Sequence, residues 1–121
     1  MEDARQSHRE AYMFEVTDLI GKPFSEMKCW DLVRECRKRE GRPIPDYKEL
    51  MINGVPNEKG YAKKIDTPVE GCICLYALSS ENIDHAAYYL GDNKIIHATE
   101  GCGVCIERFS RYRSRLKGMY K

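Results

Sequence analysis

The chain has 121 residues, which fits one domain around one hydrophobic core and leaves no room for a second catalytic domain. Twenty Lys and Arg against nineteen Asp and Glu give a formal charge of +1, so no whole-molecule field draws in nucleic acid or an anionic membrane. Hydrophobic residues make up 42% and charged ones 32%, the usage of a folded globular chain rather than a disordered one.

No apolar run approaches the roughly 18 residues that a membrane-spanning helix needs. The opening Met1-Glu2-Asp3-Ala4-Arg5 has no apolar stretch resembling a secretory signal, so the expectation is synthesis in a cytoplasm with reduced thiols. Export by another route, such as cell lysis or incorporation in a particle, stays open. Residues 1–8, His8 among them, carry no pattern and are expected to lie outside the folded part.

From Arg9 to Ile20, apolar side chains recur at Tyr12, Met13, Val16, Leu19 and Ile20 before Gly21 and Pro23, which predicts a first helix. A second follows, with Cys29, Leu32, Val33 and Cys36 on one face, and Asp31, Arg34, Glu35, Arg37 and Lys38 expected in solvent. Gly41 and Pro43 end it. The stretch 42–71, with its prolines, glycines and scattered charge, reads as a long connection suited to substrate selection or a lid, broken only by a brief helical turn over Tyr47–Ile52. Tyr47, Tyr61, Lys63 and Lys64 are its candidate contacts. Short apolar runs at Cys72–Leu78, His85–Leu90, Lys94–Ala98 and Val104–Arg108 predict an antiparallel sheet, and Arg111–Lys121 a closing strand. Helices followed by strands define a single α+β domain over 1–121.

Six cysteines stand at 29, 36, 72, 74, 102 and 105. Cys29 lies in the first turn of the second helix, where free amides favour a thiolate, whereas Cys36 reads as core on the same face. A buried structural thiol is the competing reading of Cys29. The hairpin around Gly91-Asp92-Asn93 bears on that choice, because it carries His85 and His97 on neighbouring strands. A three-residue loop sets His97 opposite Ala87 and on the same side as His85, within side-chain reach. A two-residue loop at Asp92-Asn93 turns His97 away. In the first register Cys29, a base at His85 and an orienting imidazole at His97 make a cysteine-hydrolase triad. The four remaining thiols, Cys72, Cys74, Cys102 and Cys105, could hold zinc if their strands converged, or form a disulfide in an oxidising medium. The catalytic reading needs neither cofactor nor metal. Arg108, Arg111, Arg113, Arg115, Lys117 and Lys121 form a basic stretch, better read as a solvated or partner-facing edge than a nucleic-acid site.

In order, Gly21-Lys22-Pro23-Phe24, Cys29-Trp30-Asp31-Leu32-Val33-Arg34, Ile44-Pro45-Asp46-Tyr47, His85 to His97, and His97-Ala98-Thr99-Glu100-Gly101-Cys102-Gly103-Val104 resemble the NlpC-type papain-like cell-wall cysteine peptidases. The resemblance runs from about Leu19 to Lys121 and is strongest to the bacteriophage tail branch. It implies a papain-like domain with helices packed on an antiparallel sheet, hydrolysing a peptide bond of the peptidoglycan stem. By this resemblance Cys29 is the nucleophile, His85 the base and His97 its orienting partner; Phe24, Trp30 and Tyr47 would line the substrate site. The implied partners are stem peptides and phage tail proteins, with action at the bacterial wall, on or off a virion. Phe24 stands where most members have Tyr, Lys28 where they have Asp, and Gly71-Cys72 replaces a common Gly-Asp pair. These departures sustain an alternative, a tail component that keeps the fold without turnover.

Overall fold

The computed structural model describes residues 16–44, 51–52, 55–56 and 63–121. The predicted first helix survives in this range as a 3-10 turn, Thr17–Leu19. Val16 and Leu19 are buried as expected, but Ile20 turns outward into extended backbone and is exposed.

Helix α1 (Cys29–Arg39) begins where the Lys28 backbone N–H donates to the Asp31 carboxylate, 3.3 Å away. It ends as the Arg42 N–H donates to Arg37 O and the Gly41 N–H to Lys38 O, closing a Schellman motif at the expected glycine. Leu32, Val33 and Cys36 are buried as predicted, and Trp30 joins them. Arg37 departs from the expectation of a solvated face. It is buried because its guanidinium reaches the carbonyls of Arg42 and Gly71, satisfying the end of the helix and tying it to the sheet.

The predicted helical turn over Tyr47–Ile52 fails at its end. Met51–Ile52 (β1) pairs antiparallel with Val55–Pro56 (β2), and Asn53-Gly54 between them is a strong hairpin signal.

The six-stranded sheet contains β3 (Lys64–Ile65), β4 (Ile73–Tyr76), β5 (His85–Gly91), β6 (Lys94–Thr99), β7 (Gly103–Arg108) and β8 (Leu116–Tyr120). Its order is β3-β8-β4-β5-β6-β7, every neighbouring pair antiparallel. The closing strand therefore lands in the interior of the sheet, against β4. Both faces are covered, which explains why β4 reads as a continuous apolar run rather than an alternating one. On one side α1 packs with Leu75, Ala86, Tyr88, Ile96, Ala98 and Val104. On the other, a 3-10 stretch (Phe109–Arg115) lays Phe109 and Tyr112 over Cys74, Tyr76, Ala87, Tyr89 and Ile95.

The β5–β6 hairpin resolves the register that the sequence left open. Its turn is the two residues Asp92-Asn93, both at positive φ (50° and 61°), with Gly91 paired to Lys94. A bulge between Tyr89 and Gly91 then takes up one residue, so Tyr89 faces Ile95 and Tyr88 faces Ile96. Continued along the strands, this register brings His97 opposite Ala87. The turn is the shorter alternative, while the pairing beyond it is that of the longer one.

Candidate active site

The loop before β5 aims the first histidine. Asp84 accepts hydrogen bonds from the backbone N–H groups of Leu78 (2.7 Å) and Ser79 (2.9 Å) and from the Ser79 hydroxyl, while its own N–H donates to Tyr76 O. The Ser79 hydroxyl and these amides hold the Asp84 carboxyl down at about 2. The chain thus enters β5 from a fixed point, with His85 as the first strand residue.

Cys29 is the first residue of α1 and half-buried, and the amide of Ala86, the neighbour of His85, favours its anion. Burial raises the thiol above its ordinary range, against the opposing pull of the Ala86 and Trp30 amides. The expected bias toward a resting thiolate is therefore overturned, because desolvation of the anion exceeds what the helix amides return.

The two imidazoles meet as the first register requires. His85 Nε2 and His97 Nδ1 are 2.9 Å apart, the rings tilted at 70°. His97 is fully buried, and its Nε2 lies 2.6 Å from Glu107 Oε2. That carboxylate oxygen also accepts from the Tyr112 hydroxyl at 2.6 Å, and Oε1 accepts from Arg111 at 2.8 Å. Burial alone would raise the Glu107 carboxyl, but the hydrogen bonds from Tyr112 and His97 carry it below its ordinary value. Burial, and then the charge of His97, lower His85 to about 4; burial lowers His97 as well.

These states fix the protons. An ionised Glu107 can only accept, so His97 carries its proton on Nε2 and offers a lone pair at Nδ1. His85 must then donate from Nε2, which leaves the lone pair of Nδ1 free to act as a base. Glu107, His97 and His85 form one ordered series in which each member sets the tautomer of the next.

Glu107, Tyr112 and Arg111 were not legible as site residues. The β6–β7 register pairs His97 with Cys105 and Ile95 with Glu107, placing Glu107 diagonal to His97 on one face. Two aligned strands carrying a histidine and a glutamate at that offset were the available signal. Of the basic stretch, Arg111 holds Glu107, and Lys121 pairs with Glu40 at 3.1 Å, so neither belongs to a purely solvated edge. Of the predicted substrate contacts, Phe24 is half-buried against the helix-side core and Trp30 is buried in it, while Tyr47 and Tyr61 lie outside the described residues. A cleft lined by Met27, Asp31, Arg34, Glu35, Lys38, Pro43 and Ile44 runs along the outer side of α1, with no member of the histidine series in its wall. The four-thiol zinc reading loses its geometry, since Cys72 and Cys74 enter and lie on β4 whereas Cys105 lies on β7, with β5 and β6 between them.

A thiol at a helix start beside a strand-borne imidazole pair is the layout of cysteine hydrolases. The chain belongs to the NlpC/P60 family, whose model matches residues 14–117. No curated protein sequence matches it. Among solved structures, the NlpC/p60 domain of the peptidoglycan hydrolase SagA is similar, with a TM-score of 0.66 and 22% identity over 93% of this chain and 97% of that one. NlpC2 from Trichomonas vaginalis gives a TM-score of 0.70 and 17% identity, covering all of this chain and 50% of its own. An NlpC/P60 family protein from Bacillus cereus ATCC 10987 gives 0.66 and 19%, over 92% and 39%. Members of the family are cysteine peptidases or amidases, and the fold here is that of its peptidoglycan hydrolases.

Proposed function

We propose that the chain is a cysteine peptidase that cuts a peptide bond in the peptidoglycan stem, acting at the bacterial wall. The observation that carries this reading is the ordered series ending in a free Nδ1 on His85, one residue from the amide of Ala86, which favours the Cys29 thiolate. Family membership supports the substrate class.

Cys29 and His85 rest as a neutral pair. As the sulfur attacks the scissile carbonyl, His85 Nδ1 takes the thiol proton, and the new imidazolium is stabilised through His97 by the Glu107 charge. The oxyanion gains the Cys29 backbone amide at the start of α1. His85 returns the proton to the departing amine, leaving a thioester. Water, deprotonated by His85, then releases the acid and restores the thiol. Phe24 offers no hydroxyl to the oxyanion, so that role falls to backbone donors. Replacing Cys29 with Ala is expected to lower release of stem-peptide fragments from purified wall at least about a thousandfold, with near-UV circular dichroism unchanged. Undiminished release would sink the assignment.

The missing hydroxyl at Phe24 favours one rival, a non-catalytic member of the family. Wild-type protein that leaves wall intact, and whose Cys29 reacts with a thiol probe no faster than the comparably half-buried Cys105, would establish it. The finer reading places the enzyme on a phage or prophage tail, supported by the sequence resemblance alone; co-sedimentation with induced particles tests it.

A further inference from the structure

We propose that His97, Cys105 and Glu107 form a binding site for a zinc-class transition metal, and that its occupation switches the hydrolase off. The switching half rests on the peptidase reading above; the binding half does not.

Cys105 faces His97 directly across the β6–β7 ladder, and Glu107 lies one side-chain position further along the same face. One nitrogen, one sulfur and one carboxylate oxygen from these three residues all fall within 4.8 Å of one another. Bond lengths of about 2.0 to 2.3 Å to zinc place tetrahedral ligand atoms roughly 3.3 to 3.7 Å apart, so small side-chain rotations close the set. A mixed nitrogen, sulfur and oxygen set suits zinc or cobalt and not magnesium or calcium, which take oxygen alone. Access is from the side of Cys105 and Glu107, both partly exposed, while His97 forms the buried wall. Arg111, 67% exposed, can swing away from the Glu107 carboxylate as the cation arrives. Three protein ligands leave one position for water.

Coordination reverses the proton order. The metal takes the lone pair of His97 Nε2, so the proton that faced Glu107 must reside on Nδ1. That nitrogen now donates to His85 Nε2, and the His85 proton moves to Nδ1, the position that served as the base. The Cys105 thiol gives up one proton to solvent, the only net release. A histidine protonated at Nδ1 cannot accept from Cys29.

Cobalt(II) is the probe, because a thiolate ligand gives it an intense near-ultraviolet charge-transfer band. Titration of the intact chain is expected to saturate at one equivalent, and zinc should bleach the band. The band should persist in Cys29→Ala and in Cys102→Ala, and vanish in Cys105→Ala; Cys105→Ser serves equally if the alanine variant folds poorly. A band lost with Cys29 and kept without Cys105 would put the metal on the catalytic thiol and overturn the site, as would no band at millimolar cobalt. In the wall-release assay, Cys105→Ala should keep its metal-free rate and need at least tenfold more zinc for half-inhibition. Equal zinc sensitivity of wild type and variant, with the band behaving as expected, would overturn the switch alone.

Discussion

Cys29 and His85 are both held toward their neutral forms, and the pH dependence follows from that. His85 is lowered to about 4 by burial and by His97, and burial raises the Cys29 thiol. Protonated imidazole cannot take the thiol proton, so kcat/KM should hold level from neutrality down to about pH 5 and fall through pH 4. A rate that instead declines below pH 7 would place His85 near its ordinary value. Glu107 acts through His97 and is a positioning residue. Glu107→Gln keeps an acceptor but removes the charge, which should cost about 10- to 100-fold in kcat, the weight of about 1.4 to 2.7 kcal/mol of imidazolium stabilisation. Because the Glu107 charge raises His85, its loss should also move the acid limb to lower pH. A drop in kcat with the limb unmoved would reduce Glu107 to packing. Among the described residues the buried Tyr76 hydroxyl finds no oxygen or nitrogen partner, only the weakly polar Cys74 thiol beside it. Tyr76→Phe should accordingly be neutral or stabilise by up to about 1 kcal/mol, read by urea denaturation.

At the scale of elements, the hairpin bulge and the start of β7 hold the site together. Gly91 sits at φ 95°, and a Cβ there would lie 2.8 Å from Glu70 Cγ. Gly91→Ala should destabilise by about 1 to 3 kcal/mol and, by disturbing the step that keeps His97 on the His85 side, reduce activity more than the lost stability explains. Activity that simply follows the folded fraction would show that the register survives. Gly103, at φ 69°, is bounded by backbone, since a Cβ would strike the Lys22 carbonyl oxygen. That carbonyl accepts from the Val104 N–H, and the Gly21 N–H donates to Val104 O. The β7 edge therefore anchors the segment running through Phe24 to Cys29, so one edge strand aligns the entry to the nucleophile and also carries Glu107.

For the whole molecule, one buried and one half-buried neutral histidine make the fold sensitive to mild acid. A histidine lowered in the folded state takes up its proton only on unfolding, so stability is full above the unfolded value of about 6.5 and declines as pH falls toward the folded one. For His85, with a folded value of about 4, the loss amounts to roughly 3 kcal/mol across that window. Asp84 acts in the same sense at lower pH: depressed to about 2, it contributes above its unfolded value and loses that contribution as pH falls through 2. Thermal midpoints should fall from pH 7 to pH 4 in wild type and distinctly less in His85→Gln, which removes the buried base; parallel curves would assign the acid loss elsewhere.

Helix α1, the four main strands and the closing strand were readable because each is written in a local pattern: an apolar stripe, short β-branched and aromatic runs, and turn residues between them. Cys29, His85 and His97 stood out for the same reason, as reactive types at element starts or in a recognisable hairpin. The outward turn of Ile20, the buried Arg37 and the β1–β2 pairing were decided by groups distant in sequence or by turn chemistry outweighing a weak helical pattern. Sequence by itself determined the α+β class and the residues able to do thiol chemistry. Only the tertiary structure decided the bulge that returns His97 to His85, the Glu107 and Tyr112 anchor behind it, and the resting protonation of the pair. Those depend on strand register and burial, which are set by contacts between segments and leave no mark on any one of them.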